Sequence, residues 1–350
     1  MTSSTNEIIL LTDYRGAFWS SLKNRWGLCS LDIEALRQAF GRMGYQLQVL
    51  PFAEVSLRGR KFRDQPVLYH SSEDKGSHYK DYLEDVLLGI QLQGGRLIPP
   101  FHCFRAHHNK VFMEILRDLS NDPVMMRPQS RVWGTLEDFQ ACECSYPAVF
   151  KKAWGAGSSG VQLAHGREEG LRIAARFSRS ASVMDVIKEH IKRWRRRKMG
   201  YVPYSMHRQK FLVQEFIPGL QGDFKVLVYW DRYYVVSRNN RPGDFRASGS
   251  GLLTWPEDPP GGLLEYAQRV FNHFRVPMIS LDIAMTDDGP VLIEFQFVCF
   301  GPASLELSNW FFQRQEQGGW LRKVQRSLPE VEFARSVCCY LALQEERNES

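Results

Sequence analysis

One stretch near the end of the chain constrains the fold most: two apolar segments, joined by a polar turn, that carry oxygen-bearing side chains. Residues 279–302 contain it, and its turn reads Thr-Asp-Asp-Gly, in which Asp and Gly tolerate the positive φ of a tight hairpin. Asp282 lies in the first segment. Glu294 and Gln296 alternate along the second, so they share one face of a strand. The pattern predicts a β-hairpin on which two carboxylates and one amide oxygen converge.

These three side chains are candidate ligands of a hard divalent cation. Carboxylates left unpaired inside an apolar hairpin would carry a large desolvation cost. Mg²⁺ prefers oxygen ligands of this kind and completes its shell with phosphates. The alternative is a hairpin whose polar side chains are simply solvated, and this stretch alone does not decide between the two.

Length and charge limit the class of protein. With 350 residues, the chain is long enough for roughly two or three subdomains. Its net charge of +6 suits an anionic ligand but is weak evidence for nucleic acid. No apolar run reaches the roughly 18 residues needed to span a bilayer, and the start of the chain lacks the basic region of a secretory signal. We therefore expect no membrane partner.

The cysteines indicate a compartment. There are seven, an odd number, and their spacing gives no paired zinc motif. Reduced thiols are the simplest account, so we expect a cytoplasmic protein.

The N-terminal segment alternates between strand and helix patterns. An apolar strand at 7–12, a helix at 30–43 with Ser30 as its N-cap, and a strand at 44–50 form the start of a parallel α/β unit. Further strands and a helix follow at 66–70, 79–92 and 96–99. The loops at 14–16 and 71–73 are either ligand contacts or ordinary surface loops.

A glycine-rich loop follows a strand that ends in lysine. The strand at 146–151 ends in Lys151, and the loop Gly-Ala-Gly-Ser-Ser-Gly at 155–160 leads back into an apolar segment at 161–164. Glycine lets backbone N–H groups approach phosphate oxygens closely, and lysine adds a point charge. No Gly-Lys-Ser/Thr closes the loop, so it is not a Walker motif. A phosphate-binding hairpin and a plain turn both fit.

A basic run lies at 192–198, after a helical stretch that begins at 169. It could contact nucleic acid, an anionic polymer or an acidic substrate tail, and Trp194 within it is the only hint of stacking. A solvated face or a mobile loop is the more ordinary interpretation.

The later segments complete an ordered set. Gln-Glu-Phe-Ile at 214–217, Asp-Phe-Lys at 223–225 and Asp-Phe-Arg at 244–246 precede the carboxylate hairpin. In this order, from Lys110 to Leu307, the chain resembles the ATP-grasp superfamily. Within it, the pattern is most similar to carboxylate–amine ligases such as the RimK type, glutathione synthetase and D-alanine–D-alanine ligase. No single motif is specific, but the order is.

The resemblance implies an α/β (α+β) protein with the ATP-grasp fold, in which a Rossmann-like N-terminal domain precedes two α+β subdomains that clasp ATP. The implied boundaries are residues 1–104 for the N-terminal domain, 105–210 for the central subdomain with the glycine-rich loop, and 211–350 for the C-terminal subdomain with the Mg²⁺ site.

The resemblance also implies roles, with ATP and Mg²⁺ as cofactors. The implied ATP-binding residues are Lys110, Lys151, Gly155, Gly157, Ser158, Ser159, Gly160, Gln214, Glu215, Phe216, Ile217 and Asp223. Arg246 would be catalytic, neutralising the γ-phosphate and an acyl phosphate. Asp282, Glu294 and Gln296 would hold Mg²⁺, with Gln296 where the family usually has Asn. Substrate contacts would come from Arg238, Arg241, Ser248 and Gly249.

The function implied is an ATP-dependent ligase that joins a carboxylate to an amine through an acyl phosphate. The partners would be a small carboxylate and an amine, such as an amino acid or a peptide, without nucleic acid; a homo-oligomer is left open. Two alternatives are an ATP-grasp kinase of a phosphorylated or sugar-like substrate and a non-catalytic ATP-binding protein. A requirement for an amine in ADP release separates the ligase from the kinase.

Overall fold

The computed structural model describes residues 6–24, 27–58, 62–155, 160–243, 246 and 251–349. Contacts group the chain into two compact units. The larger unit comprises Met1–His107 and Leu220–Ser350, and the smaller unit comprises His108–Gly219.

The N-terminal part of the larger unit is a parallel sheet with helices. Its elements are β1 (Glu7–Thr12), β2 (Ser21–Asn24), β3 (Gly27–Cys29), α1 (Ile33–Arg42), β4 (Gln46–Pro51), β5 (Pro66–Leu68), α2 (His78–Leu92), β6 (Arg96–Ile98) and α3 (Phe101–Ala106). The parallel strands are ordered β4-β1-β5-β6. Ile8 to Leu11 of β1 are fully buried, as expected for a strand covered on both faces. The predicted parallel α/β unit is confirmed.

The start of α1 differs from the sequence prediction. Asp32, not Ser30, is the N-cap, and its carboxylate accepts the N–H groups of Glu34 and Ala35. The Ser30 hydroxyl instead accepts the N–H of Phe18 at 2.8 Å. Ser and Asp both cap helices well. Because the Ser30 hydroxyl is engaged by the Phe18 N–H, Asp32 serves as the N-cap.

The smaller unit is built on an antiparallel sheet. Its elements are α4 (Lys110–Asp118), β7 (Ser130–Trp133), α5 (Leu136–Gln140), β8 (Ala148–Lys152), β9 (Val161–Ala164), α6 (Arg167–Ser178), α7 (Val183–Arg196) and β10 (Phe211–Glu215). The strand order is β7-β10-β8-β9. Phe139 of α5 and Phe177 of α6 pack with Phe150 and Phe211 of the sheet in a buried cluster. One face of this sheet is therefore covered by α5 and α6.

The C-terminal part of the larger unit is a second, antiparallel sheet. Its elements are β11 (Gly222–Tyr229), β12 (Arg232–Asn239), β13 (Leu253–Thr254), α8 (Leu263–Phe274), β14 (Met278–Thr286), β15 (Gly289–Gln296), α9 (Ala303–Glu306), β16 (Trp310–Arg314), β17 (Trp320–Val324) and α10 (Pro329–Glu349). The order is β15-β14-β11-β12-β16-β17, with β13 beside β12. Thr286 pairs with Gly289, which has a φ of 108°. The predicted hairpin with its tight turn is confirmed.

One hydrophobic core joins the two sheets of the larger unit. Phe18 and Trp19 from the N-terminal part are buried with Phe300 and Phe333 from the C-terminal part. The Trp19 ring lies edge-on to Phe333, with 4.8 Å between centroids, and to Phe300, at 5.4 Å. Such aromatic pairs add to the stabilisation from buried area. Among the helices that the structure describes, none is long and apolar enough to cross a membrane.

A fully buried ion pair lies on α4 of the smaller unit. The Arg117 guanidinium lies 2.9 Å from the Glu114 carboxylate, and their side chains are 0% and 1% exposed. Arg117 also donates to the carbonyl oxygens of Met125 and Arg127. Removing the carboxylate would leave a buried cation without its counter-charge, which is costly in a low dielectric.

We expect Glu114→Ala to destabilise the smaller unit by about 3–5 kcal/mol. Hydrogen exchange of the β7 and β10 amides, followed across a denaturant series, measures this. The control is Glu34→Ala, which removes the exposed carboxylate beside Arg37 and should cost no more than about 1 kcal/mol. Equal effects of the two substitutions would contradict the argument from burial.

Candidate functional site

Two adjacent lysines at the end of β8 point to opposite faces of the smaller unit's sheet. The Lys152 ammonium lies 5.3 Å from the centroid of the Phe177 ring, on the face covered by α6. Neighbouring side chains of a strand alternate, so Lys151, which is 6% exposed, lies on the other face. Gln214 shares that face, because Leu212 lies opposite Lys151 in the ladder. Its amide donates to the Ser130 hydroxyl at 2.9 Å.

The predicted glycine-rich hairpin is present as two paired strands. β8 and β9 pair antiparallel from Ala148 opposite Ala164 to Lys151 opposite Val161. Gly155 has a φ of 118°, a conformation that favours glycine. A Cβ on Gly160 would lie 3.1 Å from the Lys152 Cβ, tighter than ordinary contact. Gly157, Ser158 and Ser159 lie outside the described residues.

Other predicted ATP contacts lie near the ends of these strands. Lys110 is the first residue of α4, and its N–H donates to the carbonyl of Ala153, just after β8, at 2.7 Å. Glu215 ends β10 with an exposed side chain. Phe216 and Ile217 follow it and are half-buried.

The larger unit carries its polar residues on one face of the antiparallel sheet. Residues directly opposite in a ladder share a face. Asp282 lies opposite Glu294 on β15 and opposite Lys225 on β11, and Ser280 lies opposite Gln296. The pairing shifts between Asp282 and Ile283, so that one extra residue of β15 is accommodated. A bulge of this kind re-aims the side chains beside it.

Arg238 lies between two carboxylates on this face. Its Nε and Nη2 donate to the two oxygens of Asp223 at 2.6 and 2.7 Å, and Nη2 also lies 2.8 Å from Asp282 Oδ2. The Lys225 ammonium donates to Asp282 Oδ1 at 3.1 Å. The guanidinium fork matches a carboxylate, so these charge-assisted bonds fix both partners. Two cations thus balance two carboxylates.

The cations decide the charge state of Asp282. Burial by itself raises the pKa of this carboxyl, but the Arg238 and Lys225 charges outweigh burial and hold the pKa below its usual value. Asp282 is therefore a carboxylate across the ordinary pH range.

The side chains of Asp282, Glu294 and Gln296 carry carboxylate and amide oxygens, the ligands that Mg²⁺ takes. Both Asp282 oxygens already contact cations, Lys225 at Oδ1 and Arg238 at Oδ2. No cluster of three or more His, Cys, Asp or Glu side chains with metal-binding geometry is found in the part of the chain that the structure describes. A cation held here would complete its shell with phosphates or water, which is common for Mg²⁺. The Ser280 hydroxyl, on the same face, is buried and has no hydrogen-bond partner among the described residues.

Sequence reasoning missed Lys225. The signal was available, because Lys225 alternates with Asp223 along β11 and so shares its face. Of the remaining predicted residues, Arg241 is exposed and Arg246 half-buried. Ser248 and Gly249 lie outside the described residues.

A second polar group lies at the carboxyl edge of the parallel sheet in the larger unit. Asp13 follows β1, and its carboxylate accepts the N–H groups of Arg15 and Ala17 at 2.8 Å each. His70 and Ser71 follow β5; the His70 Nε2 and the Ser71 hydroxyl are buried without a hydrogen-bond partner among the described residues. The Ser71 N–H donates to the Cys299 sulfur at 3.3 Å. Ligands of open α/β sheets bind at this edge.

Comparison with known proteins identifies the fold. No protein-family model and no curated protein sequence matches the chain. Among solved structures, the D-cycloserine synthetase DcsG is similar with a TM-score of 0.55 and 15% identity, over 96% of this chain and 99% of that one. A RimK domain ATP-grasp protein from Sphaerobacter thermophilus DSM 20745 has a TM-score of 0.48 and 15% identity, with the same coverage. The expected α/β (α+β) fold class is confirmed, and the chain shares its fold with DcsG.

Acid should destabilise the larger unit through His70. Burial lowers the pKa of this imidazole from its usual 6.5 to about 4, so the unfolded chain binds a proton that the folded one does not. The contribution is fully present above pH 6.5 and is lost as the pH falls toward 4. We expect His70→Leu to reduce the stability lost between pH 7 and pH 4 by about 3 kcal/mol. Denaturant unfolding at several pH values measures this. If the free energy of unfolding fell equally with pH in the variant and the wild type, the prediction would be contradicted.

Proposed function

We propose that this protein is an ATP-dependent carboxylate–amine ligase that forms an amide through an acyl phosphate and releases ADP and phosphate. The proposal rests on one observation above others: oxygen donors and two cations share the face of the antiparallel sheet formed by β11, β12, β14 and β15. The proposal is supported by the fold shared with a synthetase.

Asp282, Glu294 and Gln296 would hold Mg²⁺. The bound ion would neutralise charge on the ATP phosphates during transfer. Lys225 and Arg238 would keep Asp282 ionised, as the lowered pKa of that carboxyl supports. In this proposal they are positioning residues, and Arg238 takes this role in place of the substrate contact that the resemblance implied.

ATP would be bound by the smaller unit's residues. Lys110 and Lys151 would contact phosphates, and the loop at 155–160, including Gly157, Ser158 and Ser159, would offer backbone N–H groups to them. Gln214 to Ile217 would contact the adenine. The position of Lys151 at the end of β8, on the face opposite α6, supports this role.

The reaction would proceed in two transfers. A carboxylate oxygen of the acid attacks the γ-phosphorus, and the bond to the ADP oxygen breaks. The amine nitrogen then attacks the acyl carbon, phosphate leaves with its oxygen, and the nitrogen loses a proton. Charge on the phosphoryl oxygens grows in the first step, so Arg246 and the lysines would act by electrostatic stabilisation. No side-chain nucleophile is required.

The acid and the amine would be small molecules, such as amino acids or short peptides. Their contacts would come from Arg241, from residues 248–249, and from the carboxyl edge of the parallel sheet. There, the unpartnered His70 Nε2 and Ser71 hydroxyl support a polar ligand.

We expect Glu294→Ala to abolish amine-dependent ADP release, by at least about 100-fold in kcat, because the developing phosphoryl charge loses its metal. A coupled ADP assay with a panel of amino acids and small acids, and mass detection of the product, measures this. The matched control is Asp287→Ala, in the exposed turn of the same hairpin, which should retain activity.

Retained turnover in Glu294→Ala would contradict the metal assignment. ADP release that needs no amine would instead favour a kinase, and ATP binding without turnover on any substrate would favour a non-catalytic protein.

The two adjacent lysines of β8 offer a second test. We expect Lys151→Met to weaken ATP binding about 10- to 100-fold, because one charge-assisted phosphate contact is lost. Lys152→Met should leave ATP affinity within about threefold, since this side chain packs on Phe177. Isothermal titration with ATP measures both, and equal losses would contradict the assigned faces.

A further inference from the structure

The helix α7 of the smaller unit exposes its apolar side. Five apolar side chains, Val183, Met184, Ile187, Ile191 and Trp194, are 67%, 58%, 49%, 46% and 70% exposed. At 100° per residue, they fall within an arc of about 100° of the helix circumference. We call this set the apolar stripe. Apolar stripes on surface helices normally face the core.

The opposite side of α7 holds the helix to its own unit. Glu189 is the one buried residue of the helix. Its carboxylate accepts the Tyr201 hydroxyl and, at 3.1 Å, the Tyr204 N–H. Val186 on the same side is half-buried. The helix is therefore attached by a polar contact, with the apolar stripe directed away from the unit.

Helix α7 and the turn after it are rich in basic residues, some of which flank the stripe. Residues 183–199 contain seven Lys or Arg and two acidic residues, a net charge of +5 (7 − 2), against +6 for the whole chain. Lys188 and Arg195 lie within about 40° of the edge of the stripe on the helical wheel. The protein's excess positive charge is thus concentrated in the segment that also carries the exposed apolar side chains.

We propose that α7 docks the protein on an anionic phospholipid surface. A basic amphipathic helix with Trp and Ile on its apolar side lies in the interface of such a bilayer, with the apolar side chains inserted and the basic side chains at the headgroups. The opposite charges of the helix and of anionic headgroups supply long-range attraction. The proposal does not depend on the ligase function.

The shape of this surface favours a bilayer over a protein groove. Every residue from 190 to 200 is exposed, so within the described part of the smaller unit nothing encloses the outward half of the helix. A bilayer contacts only the outward half of a helix. A groove that encloses the helix would also need the inward half, where Glu189 contacts Tyr201 and Tyr204.

Docking here would be peripheral. α7 has 14 residues, or about 21 Å, shorter than the roughly 30 Å hydrocarbon core of a bilayer. A helix that lies on the bilayer surface needs no spanning segment, so docking is compatible with the lack of a membrane-crossing helix among the described residues.

Vesicle flotation of the full-length protein tests the proposal. We expect binding to phosphatidylcholine vesicles that contain 30% phosphatidylglycerol, and at least about tenfold weaker binding to pure phosphatidylcholine. Ile187→Gln with Ile191→Gln should lower the partition coefficient at least about tenfold, and so should the triple change Lys188→Gln, Arg195→Gln and Arg197→Gln, which lie near the edges of the stripe. Gln keeps helix propensity.

The matched controls lie in the larger unit. Leu88→Gln with Leu92→Gln replaces exposed apolar residues of α2, and Arg42→Gln, Arg58→Gln and Arg63→Gln together remove the same charge. Both should bind vesicles as the wild type does, and circular dichroism checks that all variants fold. No binding to the anionic vesicles would overturn the proposal. So would binding that the Ile changes leave intact, or binding to single-stranded RNA or an acidic peptide in place of vesicles.

Discussion

The placement of Arg238 between Asp223 and Asp282 is the interaction on which the polar side of the larger unit depends. A guanidinium this buried is stable only when its hydrogen bonds and charge are matched. Its three short contacts tie β11, β12 and β14 together at the end where the polar residues lie. Lys225 adds a fourth contact, and Asp282 stays ionised as a result. A charged, ordered face inside an otherwise apolar sheet is what the proposed chemistry needs.

The shared core of the larger unit fixes where that face lies relative to the parallel sheet. Phe18 and Trp19 come early in the chain, and Phe300 and Phe333 come late, yet they form one cluster. The hydrogen bond from Ser71 to Cys299 follows from this packing. It brings the carboxyl edge of the parallel sheet beside the segment that follows β15. A polar substrate group at the edge would thus meet a defined end of the carboxylate hairpin.

Helix α7 differs from the polar face of the larger unit in where its charges and apolar side chains lie. The polar face of the larger unit gathers charge of both signs into a buried network, whereas α7 leaves cations and apolar side chains in solvent. Exposed apolar area of this kind marks an interaction surface, since a folded chain gains nothing by exposing it. The two features need not act together, and each can be altered without touching the other.

Local patterns in the sequence determined the hairpin of β14 and β15, the parallel strand–helix–strand start and the hairpin of β8 and β9. Strand alternation and turn residues act over a few positions, so the chain itself carries them. The partners of Asp282 could not be predicted in this way, because Arg238 and Lys225 reach it only through the strand order. The N-cap at Asp32 could not be predicted from local patterns either. The amphipathic period of α7 is visible in the sequence, but the exposure of its apolar side is not. Which side of a helix meets the protein is decided by long-range packing, and only the tertiary structure fixes that.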